Sequence, residues 1–212
     1  MNNLVYDDLV RIMSKISDVM TANKDYLCLL DAQMGDGDLG ITMHKGWLTA
    51  AETAKSFEET DIGKMLIKAG LRMASAAPST MGTILAAGLM DAGKNMKGET
   101  KLDIKGLSRF LNGFCDGLMK RGHCSPGDRT VLDSVWPAAK AVEQIDERAS
   151  MKHAAALVRS AAREGLELTK DMVPKFGRAA IFAAKAKGIL DQGAVVGFLM
   201  VDTICTYIEA ER

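Results

Sequence analysis

One ten-residue segment, Asp31 to Gly40, most constrains what this chain can fold into. It places three aspartates and three glycines directly after a short apolar run. Carboxylates about 5 Å apart repel each other by roughly 3 kcal/mol per pair at an effective dielectric near 20. We therefore expect a cation among Asp31, Asp36 and Asp38. Hard oxygen ligands on a flexible glycine scaffold suit Mg²⁺, which takes one or two protein carboxylates and leaves its other positions to water and phosphates.

The same segment also matches the dinucleotide-binding fingerprint. Its spacing is Gly35-x-Gly37-x-x-Gly40, and the apolar run before it is strand-like. The variable positions are Asp36 and Asp38, however, and these would meet a pyrophosphate with two negative charges. A dinucleotide-binding fold also requires alternating strands and helices, which the sequence does not show.

Two further interpretations of the segment are an EF-hand loop and a capped turn. An EF-hand loop starting at Asp31 requires an acidic or amide side chain at its fifth position and Glu at its twelfth. This chain has Gly35 and Thr42 there, so the EF-hand interpretation fails. An Asp-Gly turn with a helix cap before a helix beginning near Leu39 remains open. The turn and cap account for one aspartate and leave the other two unexplained.

Length, charge and cysteine content favour one cytoplasmic domain. The 212 residues fit a single domain over residues 1–212, and 27 Lys and Arg balance 27 Asp and Glu. The balance gives no reason to expect binding to nucleic acid or to an anionic membrane. The four scattered cysteines favour reduced thiols, and we find neither a signal-peptide pattern nor an uncharged apolar run of membrane-spanning length.

Hydrophobic periodicity predicts an all-α fold. Leu9, Ile12, Ile16 and Val19 recur at three- and four-residue intervals, which is typical of an amphipathic helix. Similar patterns predict about eight helices, over residues 4–23, 42–54, from 61, 81–90, 107–122, up to 146, 154–168 and from 193. Almost no segment alternates with a period of two. We therefore predict an antiparallel helical assembly with its functional residues in the loops, and assign most of the 14 methionines to its core rather than to a lipid-binding lining.

Two loops raise questions of their own. The break before the helix near Met81 contains Ser79 and Thr80, and the free N–H groups of that helix start could bind a phosphate. Simple capping by either hydroxyl explains these residues equally well. His123 beside Cys124 suggests a metal site, but no second Cys or His follows at ligand spacing, so we do not predict one.

Four blocks of sequence resemble one known family. The blocks are Asp31-x4-Asp36-Gly37-Asp38-x-Gly40-x-Thr42-Met43, Met81-Gly82-Thr83, Arg121-Gly122-x3-Pro126-Gly127-Asp128-Arg129-Thr130-x2-Asp133, and Gly177-Arg178-Ala179 with Asp191-x-Gly193-Ala194. In this order, and over nearly the full length, they are similar to the nucleotide-binding L subunit of the dihydroxyacetone kinase family, also called the Dak2-type domain. The family's glycine-rich loop is shortened here to residues 75–80, and its Ser-Tyr pair after Gly177-Arg178-Ala179 is missing. The chain therefore resembles a divergent paralogue.

The resemblance implies an eight-helix antiparallel barrel with a nucleotide site at one end. In that family the three loop aspartates, matched by Asp31, Asp36 and Asp38, hold two Mg²⁺ ions, and Arg178 joins them as a catalytic residue. ADP or ATP is expected to lie against Leu39, Gly40, Ile41, Thr42, Ser79, Thr80, Gly122, Val131, Arg178, Asp191, Gln192 and Gly193.

The resemblance also implies a divided enzyme. The family's substrate is held by a separate K-type subunit through a histidine, and none of the three histidines here lies in a matching motif. We predict a kinase subunit that acts, together with such a partner, on dihydroxyacetone or a related small ketose. Association of this chain as a homodimer is compatible with this prediction. The phosphoryl donor is either exchangeable ATP or a phosphotransferase-system carrier that recharges bound ADP. A nucleotide-binding regulatory module without turnover is the alternative.

Overall fold

The computed structural model describes residues 3–210, and within that range nine α-helices form the framework. The helices are α1 (Tyr6–Ala22), α2 (Lys24–Asp31), α3 (Leu39–Lys55), α4 (Ile62–Ala76), α5 (Thr80–Asn95), α6 (Ile104–Gly122), α7 (Leu132–Glu143), α8 (Met151–Leu168) and α9 (Gln192–Ala210). Two short strands, β1 (Leu4–Val5) and β2 (Lys101–Leu102), pair antiparallel with Leu4 opposite Leu102. Short 3₁₀ segments follow α8, at Thr169–Asp171 and Arg178–Lys185.

Eight of these helices close into a ring. Each long helix packs against the next along the chain, from α1 and α3 through to α9, and α9 packs back against α1. The interior holds large apolar side chains such as Trp47, Phe114 and Met65, each at most 1% exposed. The prediction of an all-α antiparallel barrel is therefore confirmed.

The short helix α2 is the element that the sequence did not reveal. The apolar run Tyr26–Leu30, which looked strand-like, lies within α2, and this helix packs against α3 outside the ring. A run of five apolar residues fits a strand and a helix equally well, because neither period repeats often enough to be distinguished.

Because neighbouring helices of the ring are antiparallel, its loops lie at two opposite ends. The connections 32–38, 77–79, 123–131 and 169–191 lie at one end. The connections 56–61, 96–103 and 144–150, with the β1–β2 pair, lie at the other. Loops that are separated by more than 100 residues in sequence therefore meet at one end of the barrel.

Helix α9 is apolar enough to pass for a membrane span. Among the described helices it alone meets the length and composition criteria, with a mean hydropathy of 1.4, and 67% of its most apolar window is buried. Its apolar character is explained by its side chains, most of which are buried against the neighbouring helices.

A buried hydrogen bond joins the first and last helices of the ring. The hydroxyl group of Tyr207 on α9 donates to Asp8 Oδ1 on α1 at 2.7 Å, and the other carboxylate oxygen accepts from the amide of Val5 at 2.8 Å. The bond links residues 199 positions apart. It stabilises the seam at which the ring closes.

Replacing Tyr207 with phenylalanine is expected to lower the free energy of unfolding by about 2 kcal/mol. The hydroxyl donates to a buried carboxylate, and a hydrogen bond to a charged group contributes about 1.5–3 kcal/mol. Urea unfolding followed by circular dichroism measures the change. Tyr26→Phe is the matched control, because Tyr26 is 47% exposed. Equal stability of the two variants would contradict a role for this bond at the seam.

Candidate functional site

A cleft of about 750 Å³ opens at the end of the barrel where the four long-range loops meet. Of the predicted site residues, the following line it: Asp31, Asp36, Asp38, Leu39, Thr42, Ser79, Thr80, Gly122, Val131, Arg178, Asp191, Gln192 and Gly193. They come from all four loops at that end. The fold thus brings together residues that the sequence analysis grouped only by their motifs.

The loop between α2 and α3 is folded around the carboxylate of Asp31. Its Oδ2 accepts hydrogen bonds from the amides of Gly37, Asp38 and Leu39, at 2.9, 3.2 and 3.4 Å. Gly35 lies against its Oδ1, where an added Cβ would stand only 2.1 Å away. Asp31 is 7% exposed. The buried carboxylate therefore fixes the loop from within, and its Oδ1 side has to stay uncrowded.

Asp31, Asp36 and Asp38 form one cluster at the cleft. One carboxylate oxygen from each lies within 4.8 Å of the others, and among the described residues this is the one group of three that could hold a metal ion. Desolvation raises the pKa of Asp38, and the neighbouring carboxylates of Asp36 and Asp31 raise it further, while Arg178 lowers it. The cluster is thus short of positive charge.

The three carboxylates fit a Mg²⁺ ion in chemistry and lie close to the spacing that one ion requires. Mg²⁺ binds oxygen at about 2.1 Å, so two ligands of one ion lie at most about 4.2 Å apart. A small inward movement of the exposed Asp36 and Asp38 side chains would satisfy this limit. Three carboxylates could equally be shared between two ions.

Two side chains connect the acidic loop to the last connection of the ring and to the start of α9. Arg178 Nη2 lies 3.3 Å from Asp36 Oδ2, and Gln192 Nε2 lies 3.5 Å from Asp31 Oδ1. Both Arg178 and Asp36 are largely exposed, at 63% and 47% of their side-chain surface. An exposed pair of this kind contributes little stability, so the guanidinium group remains available to an anion in the cleft.

Helix α5 begins at the cleft with its N–H groups towards it. Ser79 is the N-cap, and its hydroxyl oxygen accepts from the amide of Gly82 at 3.0 Å. The capping role considered from the sequence is therefore observed for Ser79. Thr80 and Thr83 also line the cleft, and the helix start favours a negatively charged group beside it.

Gly40 and Ile41 are not among the residues that line the cleft. Gly40 faces α2, where an added Cβ would stand 1.8 Å from the carbonyl oxygen of Lys24. Ile41 is 45% exposed on the outside of α3. The glycine of the motif serves the contact between two helices, and the next residue points away from the cleft.

Several cleft residues were not predicted as part of the site. They are Gly35, Pro78, Met81, Thr83, Ile84, Arg121, Cys124, Arg129, Thr130, Phe176, Gly177 and Ala179. Arg129 and Thr130 lie inside a sequence block that had been singled out, so the block was the available signal. His123 ends α6 in a left-handed conformation with φ of 51°, which gives it a structural role in the turn.

The carboxyl group of Asp191 caps the start of α9 at the base of the cleft. Its Oδ2 accepts from the amide of Ala194 at 2.8 Å, and its own amide donates to Thr169 Oγ1 at 3.0 Å. Burial raises the pKa of Asp191 to about 7, although the Ala194 amide and the Arg129 guanidinium oppose the shift. This group therefore titrates near neutral pH.

Replacing Asp191 with asparagine is expected to remove a pH dependence of stability. The folded state binds this proton more tightly than the unfolded state, whose pKa is about 3.9, so stability is lost as pH rises from about 4 to about 7. Between pH 5 and 8 Asp191 should contribute a loss of about 2–3 kcal/mol in the unmodified chain, and this contribution should be missing from the variant. Urea unfolding at both pH values measures it, with exposed Asp18→Asn as control. An unchanged slope in Asp191→Asn would contradict this assignment.

The structure defines a class of helical domain, a closed ring of eight helices with a carboxylate cluster in a cleft at one end. The family model described as "DAK2 domain" matches residues 33–206, so this chain belongs to the DAK2 domain family. The resemblance predicted from the four blocks is confirmed.

The relatives of the chain are named as kinases or kinase subunits. The "PEP-dependent dihydroxyacetone kinase, ADP-binding subunit DhaL" of Escherichia coli (strain K12) is 26% identical over 194 residues, which cover 91% of this chain and 92% of that protein. The "L-erythrulose kinase" of Pectobacterium atrosepticum is 28% identical over 197 residues, which cover 92% of this chain and 33% of that protein. These names agree with the predicted enzyme class, and the low identities agree with a divergent member.

A solved structure confirms the fold. The crystal structure of the dihydroxyacetone kinase from C. freundii in complex with AMP-PNP and Mg²⁺ superposes with a TM-score of 0.71 at 19% sequence identity, over 93% of this chain and 33% of that one. The chain thus spans nearly the whole of the subunit-type relative and about a third of the longer kinases.

Proposed function

We propose that this chain is the nucleotide-binding subunit of a kinase that phosphorylates a small ketose. The observation that carries the proposal is the carboxylate cluster of Asp31, Asp36 and Asp38 at the edge of a cleft of about 750 Å³. A cleft of this size accommodates a nucleotide. Two relatives support the proposal through their names, one as an ADP-binding subunit and one as a structure with AMP-PNP and Mg²⁺.

In this proposal the chain's own residues position the nucleotide and balance its charge. Asp36 and Asp38 bind Mg²⁺ through exposed carboxylate oxygens, and Asp31 offers Oδ1 because its Oδ2 is held by backbone amides. Bound Mg²⁺, as two ions, would neutralise the phosphate charge that builds up during phosphoryl transfer. Arg178 binds a phosphate oxygen, and the start of α5 at Ser79 and Thr80 binds another.

The apolar half of the cleft is proposed to hold the nucleoside. Val131, Gly122 and Ile84 lie on the side formed by α5, α6 and the loop before α7. Gly193 packs closely there, because an added Cβ would stand 3.0 Å from the amide nitrogen of Val131. A side chain at position 193 would therefore narrow the cleft.

We propose that the ketose is bound by a separate K-type subunit. None of His44, His123 and His153 lines the cleft, so the described part of the chain offers no histidine there to hold a ketose. The erythrulose kinase supports a small ketose as substrate, and about two thirds of its length lies outside the match to this chain. The name of the E. coli relative, which states PEP dependence and ADP binding, supports PEP as the source of the phosphoryl group. We propose that a phosphoryl carrier recharges ADP bound to this chain, in the cytoplasm.

The nucleotide content of the purified protein tests the proposal. The protein is denatured with and without prior dialysis against EDTA, and the supernatant is analysed by anion-exchange chromatography. ADP that stays bound until chelation supports a donor that recharges it in place. An empty protein that binds ATP reversibly with Mg²⁺ supports ATP-dependent turnover. The absence of nucleotide binding in both cases would overturn the proposal.

Phosphoryl transfer in the presence of a K-type partner tests the second half of the proposal. Dihydroxyacetone and erythrulose are supplied with either ATP or a PEP-fed carrier, and the phosphorylated ketose is measured. Nucleotide binding without transfer to either ketose would favour a regulatory module instead.

A further inference from the structure

The buried guanidinium group of Arg129 joins two loops at the cleft. Arg129 lies in the loop before α7 and is 3% exposed. Its Nη2 donates to the carbonyl oxygens of Ala186 and Ile189, at 3.1 and 2.7 Å. Both carbonyls belong to the last connection of the ring, just before Asp191. One side chain thus holds this connection against a loop 57 to 60 residues earlier.

Several features of Arg129 are unfavourable for the stability of the folded chain. Its backbone is in the left-handed region with φ of 62°, which disfavours a residue with a side chain. Its Nε and Nη1 are buried without a hydrogen-bond partner among the described residues, and desolvation lowers its pKa. Unpartnered buried donors and a desolvated charge both cost free energy. The Asp191 carboxyl group offsets part of the cost of the buried charge, but the donors without a partner and the left-handed backbone stay unfavourable.

The part of the last connection that Arg129 holds, residues 178–191, carries Arg178 and leads into Gln192 at the start of α9. These two side chains face Asp36 and Asp31, whereas the other arginines that line the cleft lie on α6 and on the loop before α7.

The apolar contacts of residues 178–188 are few, since Met34 packs there against Ala179 and Ala186, while Ile189 and Leu190 pack against the main core. Just before this stretch, the backbone and side chain of Lys175 both donate to Asp128. The two Arg129 hydrogen bonds tie residues 186 to 189 to the same loop.

We propose that Arg129 is a positioning residue that sets nucleotide affinity by holding the connection 178–191 against the loop before α7. This inference rests on the proposed nucleotide binding for its functional consequence, and on the two hydrogen bonds for its structural one. Arg129 acts through Arg178 and Gln192. Without it the connection moves away from the cleft, and these two side chains no longer face Asp36 and Asp31.

Arg129→Met and Arg129→Gln test the proposal, with the exposed Arg148→Met at the opposite end of the barrel as the matched control. Thermolysin, which cleaves before large apolar residues, reports on local opening at Ile181 and Phe182. We expect initial cleavage there to become about tenfold faster in both Arg129 variants. Affinity for a fluorescent ADP analogue with MgCl₂ should fall about tenfold, and the midpoint of thermal unfolding should change little. Arg129→Lys, which keeps a donor, should recover part of both effects.

The outcomes separate this inference from the proposed function. Unchanged cleavage and unchanged affinity in both variants would overturn the positioning role. Faster cleavage in a protein whose unmodified form binds no nucleotide would keep the structural role and overturn the proposed function. If Arg129→Met fails to fold, the comparison of Arg129→Gln with Arg129→Lys decides, and a lower unfolding midpoint with unchanged local cleavage would show a merely structural residue.

Discussion

Replacing Asp38 with asparagine is expected to abolish Mg²⁺-dependent retention of adenine nucleotide while the helical ring stays intact. Asp38 precedes α3 but makes no side-chain capping bond, so asparagine removes no helix contact. Its charged form is already disfavoured by partial desolvation and by its two acidic neighbours. The variant should therefore be at least as stable as the unmodified chain without metal. Affinity for nucleotide with Mg²⁺ should fall more than 100-fold, or about 2.7 kcal/mol.

Isothermal titration with ADP, with and without Mg²⁺, measures this effect. Asp36→Asn should behave in the same way, because Asp36 belongs to the same cluster. Asp18→Asn is the control, because it removes one negative charge, as the other two variants do, from an exposed position on α1. It should bind ADP as the unmodified chain does. If Asp36→Asn and Asp38→Asn both retained full affinity, the assignment of the metal site would be wrong.

Replacing Gly40 with alanine is expected to lower the free energy of unfolding by about 3 kcal/mol. The added Cβ would stand 1.8 Å from the carbonyl oxygen of Lys24 and 2.7 Å from its carbonyl carbon. These are backbone atoms of α2, so no side-chain rotation relieves the clash, and crowding of this kind costs about 1–3 kcal/mol or more. Helix α2 would have to move away from α3, and the acidic loop follows α2 directly.

Gly46→Ala is the matched control, because it lies on the same helix. Its added Cβ would stand 3.3 Å from Ala77 Cβ and from Met73 Cγ. The Met73 side chain can rotate, and the contact with Ala77 needs a shift of only a few tenths of an ångström. The better helix propensity of alanine, about 1 kcal/mol, offsets this crowding. Urea unfolding followed at 222 nm should separate the two variants clearly. Equal stability would mean that Gly40 is not a packing position.

The sequence was sufficient to predict the framework of the fold. The apolar stripes of α1 and α6 repeat over several turns, so the period of 3.6 was unmistakable there. Helix α2 was not predicted, because its apolar run is too short to distinguish helix from strand. The two-residue strands were missed for the same reason.

The candidate site was predictable where its residues are local in sequence. Asp31, Asp36 and Asp38 lie within eight residues, and their repulsion alone indicated a cation. The role of Arg129 was not predictable, because its partners are main-chain carbonyls that carry no side-chain signature and lie more than 50 residues away. The family resemblance placed the motif glycine at position 40 near the nucleotide, whereas in the structure it packs against the backbone of α2. Close backbone approach has the same sequence signature whether a nucleotide or a helix approaches.

Some contacts in the structure join residues that are close in sequence and others join residues that are far apart. This difference has a consequence for the order of folding. The acidic loop is completed by hydrogen bonds within eight residues, whereas the contact between Gln192 and Asp31 spans 161 residues and the Tyr207–Asp8 seam spans 199. Contacts of long range form late, because a long stretch of chain must first be closed. We therefore expect a refolding chain to acquire affinity for the divalent cation before it acquires affinity for nucleotide, with the second step following closure of the ring.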